Sequence, residues 1–297
     1  MPGYTDRSFD LYVPQNWDTV SALPLLIGFH GGGGNRRSTE RLTCPGGDEA
    51  SPRCLVAQAL SRGYAVVMPD GVGTRPFRGI RTWNAGGGKN GFDCTSGGAC
   101  RSGADDVGYV DDLLAEVESL VRVDRRRIHA TGMSNGGAMS HRLACERPAV
   151  FAAIAAVGGA NQFAAVGGVC PGRVSVLQIH GTEDPCWTFV QSDEGCIEAG
   201  GLRAGVMDSL LGWGNRNGCA APVETPLPDR DPADGTRAFQ LQWQACERSV
   251  ELIRIEGGGH TWPNGYQYLG QDKIGRASGD LETNVVILDF FDANPRP

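Results

Sequence analysis

Short apolar runs recur along this chain, separated by glycine-rich or polar stretches. Residues 7–13 (RSFDLYV) alternate polar and apolar, which is the pattern of a half-buried strand. Residues 24–29 (PLLIGF), 64–68 (YAVVM), 127–131 (RIHAT), 152–157 (AAIAAV), 174–179 (VSVLQI) and 250–255 (VELIRI) are too short for helices. Turn formers bound them, so they read as strands buried on both faces. Helical spacing lies between them. Residues 49–61 stop at Gly63, residues 105–121 place Val107, Val110, Leu114, Val117 and Val121 on one side, and residues 136–145 and 205–215 follow. This alternation predicts an α/β fold, with a mostly parallel central sheet and helices on both faces. No polar linker divides the chain. The expectation is a single catalytic domain over 1–297, with an insertion around 185–250 that carries four cysteines.

Composition narrows the function classes. The net charge of -7 and pI near 5.3 disfavour nucleic acid, whose phosphates need a basic face. No apolar run reaches the roughly 18 residues that span a bilayer. The longest candidate, 151–165, is interrupted by Gly158, Gly159, Asn161 and Gln162. The 44 glycines cluster at 31–34, 86–88, 97–98 and 257–259 without a period, which suits loops where backbone amides approach a ligand. Ten cysteines, an even number without a CxxC pair, read as disulfides formed in an oxidising compartment rather than as a metal site. Nearness and motif position favour Cys44–Cys54, Cys94–Cys100, Cys186–Cys196 and Cys219–Cys246, leaving Cys145–Cys170. The cysteines thus give the expectation of a secreted protein, extracellular or periplasmic, and since Met1 leads directly into polar sequence its signal peptide is expected to be absent here.

The chemistry centres on Gly132-Met133-Ser134-Asn135-Gly136, a G-x-S-x-G match between a strand and a helix. A serine hydroxyl needs a base. Of five histidines, His129 lies inside a strand, His141 lies along the helix after Ser134, and His30 and His180 end strands. His260 follows the last strand on a glycine loop. Asp184 follows the strand VSVLQI, so Ser134, Asp184, His260 gives the order nucleophile, acid, base, with Glu183 and Asp193 as rival acids. The run after PLLIGF points to an oxyanion hole built from the backbone N–H groups of Gly32 and Asn135, with Gly31 and Gly33 as alternatives. No GK[ST] follows that run, so a phosphate loop is disfavoured. Trp83, Trp187 and Trp262 lie near the motifs and are candidates for shaping the substrate pocket, whereas Trp213 reads as helix core. Asp105 and Asp106 open a helix, where carboxylates cap, so they are not read as metal ligands.

The set HGGGGN (30–35), RTWNAG (81–86), DDVGYV (105–110), GMSNGG (132–137), HGTEDP (180–185), NGC (217–219) and GGGHTWP (257–263) resembles the polyhydroxybutyrate depolymerase-like esterases of the α/β-hydrolase superfamily, which include feruloyl and acetylxylan esterases. The resemblance implies a secreted serine carboxylic ester hydrolase working through an acyl-enzyme, with Ser134, Asp184 and His260 as its triad and no cofactor or metal. The substrate expected is a feruloyl or acetyl ester on plant polysaccharide. The alternative within esterases is a polyhydroxyalkanoate depolymerase or oligomer hydrolase. A serine peptidase and a non-catalytic binding protein on a hydrolase scaffold are the readings from outside that class.

Overall fold

The structure, a computed structural model, describes residues 4, 6–15, 17–73, 79–86, 98–100, 102–192 and 203–297. The strands are β1 (Phe9–Tyr12), β2 (Leu23–Phe29), β3 (Ala65–Pro69), β4 (Val72–Gly73), β5 (Arg81–Thr82), β6 (Val123–Met133), β7 (Ala153–Val157), β8 (Ser175–Gly181), β9 (Ala220–Pro226), β10 (Arg237–Gln244) and β11 (Val250–Glu256). The helices are α1 (Arg36–Leu42), α2 (Leu55–Ser61), α3 (Asp106–Leu120), α4 (Asn135–Glu146), α5 (Gln162–Ala165), α6 (Val206–Arg216), α7 (Gln271–Ile274) and α8 (Thr283–Ala293). Nine strands form one sheet in the order β1-β3-β2-β6-β7-β8-β11-β10-β9. The six strands from β3 to β11 run parallel, β1 and β10 pair antiparallel at its flanks, and β9 continues antiparallel beyond β10. β4 and β5 make a separate small ribbon.

The apolar runs occupy this sheet because both of its faces are covered. One register row crosses it as Ile27, Ala130, Ile154, Val176 and Val250. Residues of α3, α4 and α6 pack against Leu25, Ile27 and Phe29 in one core cluster. Residues of α2 and α8 pack against Leu26, Val66, Leu177 and Ile179 in the other. His129 points into the second cluster and stacks on Phe291 at 4.6 Å between centroids.

Several elements depart from expectation. The helix expected over 49–61 forms only from Leu55, since Pro52 lies in the segment and Cys54 is the cap residue. The segment 185–250 contributes α6 and the strands β9 and β10, which extend the same sheet beyond β11. Asp105 caps α3 by accepting from Gly108 N at 2.9 Å. Asp106 does something other than cap. It is fully buried, pairs with Arg7 at 2.7 Å and accepts from Asn84 N. Burial pushes its carboxyl up and the Arg7 guanidinium pulls it back.

Three disulfides join Cys44 to Cys54, Cys145 to Cys170 and Cys219 to Cys246, as expected. Cys100 and Cys186 are also disulfide-bonded. The other cysteines of their expected pairs, Cys94 and Cys196, lie outside the described residues, as does the rival acid Asp193. Disulfides of this number belong to proteins made in an oxidising compartment. Among the described residues no helix is long and apolar enough to cross a membrane.

Candidate active site

The candidate residues converge at the carboxyl edge of the parallel strands, where open α/β sheets leave a crevice. His30 follows β2, Ser134 follows β6, Gly158 follows β7, Asp184 follows β8 and His260 follows β11.

Ser134 occupies the tight turn from β6 into α4 with φ 57° and ψ -120°. A non-glycine residue at positive φ is strained by roughly 1–3 kcal/mol and persists only where its surroundings hold it. Its N–H donates to Val157 O at 2.7 Å and its carbonyl accepts from Ala138 N at 2.9 Å. The flanking glycines make room for this turn. A Cβ at Gly132 would come 2.6 Å from the Phe29 carbonyl oxygen, and one at Gly136 would run into the carbonyl oxygens of both Phe29 and His30.

Gly32 and Asn135, which carry the two candidate anion-binding amides, line the same cavity as Ser134. Gly33 N donates to Arg81 O and Gly34 N donates to Gly31 O, so both are committed to the turn, and Gly33 drops out as an anion donor. The orientation of the Gly31–Gly32 peptide follows from His30. Gly71 N donates to His30 Nε2 at 2.9 Å, which makes Nδ1 the protonated nitrogen, and Nδ1–H donates to Gly31 O at 2.8 Å. In a trans peptide the N–H points opposite to the C=O, so Gly32 N–H is turned away from His30. Burial lowers the His30 imidazole to about 4, which keeps it neutral in this role. Asn135 is the first residue of α4, so its N–H has no acceptor within the helix and carries the positive end of the helix dipole.

Asp184 is 3% exposed and makes three hydrogen bonds. Its Oδ1 accepts from Cys186 N and Trp187 N, both at 2.8 Å, and its Oδ2 accepts from His260 Nδ1 at 2.7 Å. That bond assigns the proton of His260 to Nδ1 and leaves Nε2 as the basic nitrogen. Glu183 is exposed and gives only its backbone N–H to Gly258 O, so it is not the partner of His260. Ser134 and His260 line one cavity of about 490 Å³. The Ser134 hydroxyl is not hydrogen-bonded to His260 here; such bonds commonly tighten only with substrate in place. Asp184, Cys186 and His260 also place ligand-type atoms within 4.8 Å of one another, but Cys186 is in a disulfide and offers no thiolate to a metal.

The three candidate tryptophans separate. Trp187 lines the cavity and anchors its indole by donating Nε1–H to Ala204 O at 3.0 Å. Trp83 and Trp262 are core residues rather than pocket walls. Trp83 donates Nε1–H to His30 O, packs edge-on against Phe29, and is clamped through its backbone by the Asn135 side chain at 2.7 and 3.0 Å. Trp262 donates to Asn284 Oδ1 at 3.0 Å, and Asn284 in turn donates to the carbonyls of Thr43 and Arg53. It therefore ties the His260 loop to α8 and to the Cys44–Cys54 loop. The remaining cavity wall holds Leu42, Tyr266, Tyr268, Leu269 and Ile274, which carried no motif and were not anticipated. The Arg41 guanidinium stacks 4.5 Å from the Tyr266 ring centroid, and Tyr268 Oη donates to His260 O at 3.3 Å.

No family model matches the chain. It is 26% identical over 263 residues to a probable feruloyl esterase C of Aspergillus niger, covering 88% of this chain and 79% of that protein. It is 26% identical over 261 residues to feruloyl esterase C of Emericella nidulans, covering 87% and 78%. Among solved structures, an acetyl xylan esterase from Aspergillus awamori shares the fold with a TM-score of 0.55 at 17% identity, covering 86% of this chain and 90% of that one. The chain is a carboxylic ester hydrolase of the α/β-hydrolase fold. It is similar in sequence to proteins named feruloyl esterase C and in fold to an acetyl xylan esterase.

Proposed function

We propose that this chain is a secreted serine esterase in which Ser134, His260 and Asp184 act as nucleophile, base and orienting acid. The observation that carries the reading is the buried 2.7 Å bond from His260 Nδ1 to Asp184 Oδ2, with His260 lining the cavity that also holds the strained Ser134. His260 Nε2 takes the proton of Ser134 Oγ as the oxygen attacks the ester carbonyl carbon. The oxyanion that forms accepts from Gly32 N–H and Asn135 N–H. Collapse breaks the acyl C–O bond, and His260 returns its proton to the departing alcohol. Water, activated by His260, then releases the acid and restores Ser134.

The acyl group is a feruloyl or related aromatic acid, or acetyl, esterified to polysaccharide. A cavity of about 490 Å³ walled in part by Trp187, Tyr266, Tyr268, Leu269 and Ile274 suits a planar aromatic acyl chain. The names of the relatives support the same class. The disulfides support an extracellular destination.

Two measurements test this. A serine-directed phosphonate should label Ser134, and Ser134→Ala should lower turnover of methyl ferulate by at least about 10³-fold without loss of folding. Undiminished turnover by that variant overturns the reading. Rates on methyl ferulate, acetylated xylan and hydroxybutyrate oligomers rank the acyl groups, and preference for the oligomers would replace the feruloyl assignment.

A further inference from the structure

Behind Asp184 runs a chain of buried side chains that the proposed reaction does not use. Trp213 of α6, His141 of α4, and Gln178 and His180 of β8 are all at most 1% exposed. Trp213 Nε1 lies 3.0 Å from His141 Nδ1, His141 Nε2 lies 3.0 Å from Gln178 Oε1, Gln178 Nε2 lies 3.2 Å from His180 Nδ1, and His180 Nε2 lies 2.7 Å from Trp187 O. The same His180 Nε2 is 3.4 Å from Asp184 Oδ2.

The direction of every bond in this chain is fixed from both ends, by the Trp213 indole and by the Trp187 carbonyl, which can only accept. An indole nitrogen can only donate, so Trp213 makes His141 Nδ1 an acceptor. A neutral imidazole has one N–H, so His141 donates from Nε2 to the Gln178 oxygen. The Gln178 amide then presents its NH₂ to His180 Nδ1, and the His180 proton resides on Nε2. That N–H meets the Trp187 carbonyl and the edge of the Asp184 carboxylate. Burial keeps both imidazoles neutral, lowering His141 to about 4 and pushing His180 below the ordinary histidine value.

We propose that His180 is a positioning residue for the Asp184–His260 pair, its Nε2–H tautomer demanded by the Trp187 carbonyl and matched from α6 through His141 and Gln178. The proposal rests on the triad reading above. Trp187 is held at both ends of its backbone: its N–H donates to Asp184 Oδ1 at 2.8 Å and its carbonyl accepts from His180. The His180 N–H thereby locks the turn that wraps the carboxylate, and it places a positive dipole beside the same Oδ2 that receives His260. Without it, the Trp187 carbonyl would be a buried acceptor left unpaired near a carboxylate, and the turn would move. Among the described residues, the charged or titratable groups facing His180 are Asp184 and His260, with Arg203 acting on Asp184; Phe189 packs edge-on at 6.0 Å.

The test uses His180→Leu, which removes the donor, His180→Gln, whose amide NH₂ reaches the Nε2 position, and Gln178→Met, which removes the donor to Nδ1 and loosens the ring. Rates are referred to active sites counted by phosphonate titration, so a poorly folded fraction does not enter. His180→Leu should lower kcat about tenfold or more with KM changed less than about twofold, and His180→Gln should restore most of the loss. In His180→Leu the acidic limb of the kcat/KM profile should move to lower pH, because a loosely held carboxylate stabilises a protonated ring less. Ring ¹⁵N spectra of the unmodified protein should show His180 protonated on Nε2. Should His180→Leu fail to fold, Gln178→Met and the spectra carry the test. A protonated Nδ1, or an unchanged kcat and limb per titrated site with only a lower Tm, overturns the proposal. Ser134→Ala run in parallel separates the two readings: an active Ser134→Ala rejects the triad, whereas an inactive Ser134→Ala beside a fully active His180→Leu rejects only His180.

Discussion

The two halves of the proposed triad are held by different physics. Ser134 is placed by steric exclusion. Its turn exists because the backbones of β2 and α4 approach each other across Gly132 and Gly136 with no space for a Cβ. The Asp184–His260 half is placed by polar contacts drawn from many segments. Two backbone amides hold one carboxylate oxygen, His260 holds the other, and Trp262 fastens the His260 loop to Asn284 on α8. A sterically fixed residue tolerates changes in hydrogen bonding but no added atoms. A residue fixed by hydrogen bonds tolerates small volume changes but no altered donor or acceptor.

Asp184→Asn is the sharpest way to probe that contrast. It changes no volume, yet the amide can donate to His260 Nδ1 and impose the wrong tautomer, so kcat should fall by about 10⁴-fold while Tm moves little. A variant that keeps wild-type kcat in steady-state assays would show that Asp184 does not orient His260. The opposite kind of change belongs on the other half. Gly136→Ala alters no hydrogen-bonding group, but its methyl meets the carbonyl oxygens of Phe29 and His30, and stability should fall by about 3 kcal/mol in urea unfolding. A Cm equal to that of the parent would remove the steric account of the turn.

A smaller effect separates the pH dependence of the scaffold from that of the site. Burial lowers His129 to about 3, against an ordinary value of 6.5, and His30 and His141 to about 4. The unfolded chain therefore binds more protons than the folded one between those values. The stability these neutral rings contribute is fully present above about pH 6.5 and is lost as pH falls toward 4. His129 is far from the cavity and stacks on Phe291, so His129→Phe should reduce the loss of stability between pH 7 and 4.5 by roughly 2 kcal/mol. Denaturation midpoints that fall equally steeply in both proteins would locate the acid sensitivity elsewhere.

The difference between the halves also explains what could be read in advance. The parallel strands were legible because each is a short apolar run closed by a turn former, and a strand buried on both faces needs no alternation. The strands β9 and β10 at the far end of the sheet were not. β9 is almost wholly exposed and carries Pro222 and Pro226, so neither burial nor strand propensity marks it. α8 (TNVVILDFFDA) is apolar on most sides and lacks the periodicity that identifies a surface helix. Trp83 and Trp262 lie within the motifs RTWNAG and GGGHTWP, yet both point into the core. Proximity along the chain says nothing about the direction of a side chain when the loop is folded by contacts from elsewhere.

By itself the sequence determined the α/β alternation, the glycine-bounded turn at Ser134, and the order of Ser134, Asp184 and His260 along the chain. These follow from local sterics and periodicity, which neighbouring residues encode. Only the tertiary structure decided that Asp184 rather than Glu183 meets His260, that Gly33 N–H is committed to Arg81, that Tyr266 and Tyr268 wall the cavity, and that Trp213 aligns a line of hydrogen bonds running toward Asp184. Those depend on donors and acceptors meeting across residues far apart in the chain. A buried polar group specifies that it needs a partner, but the fold chooses which one.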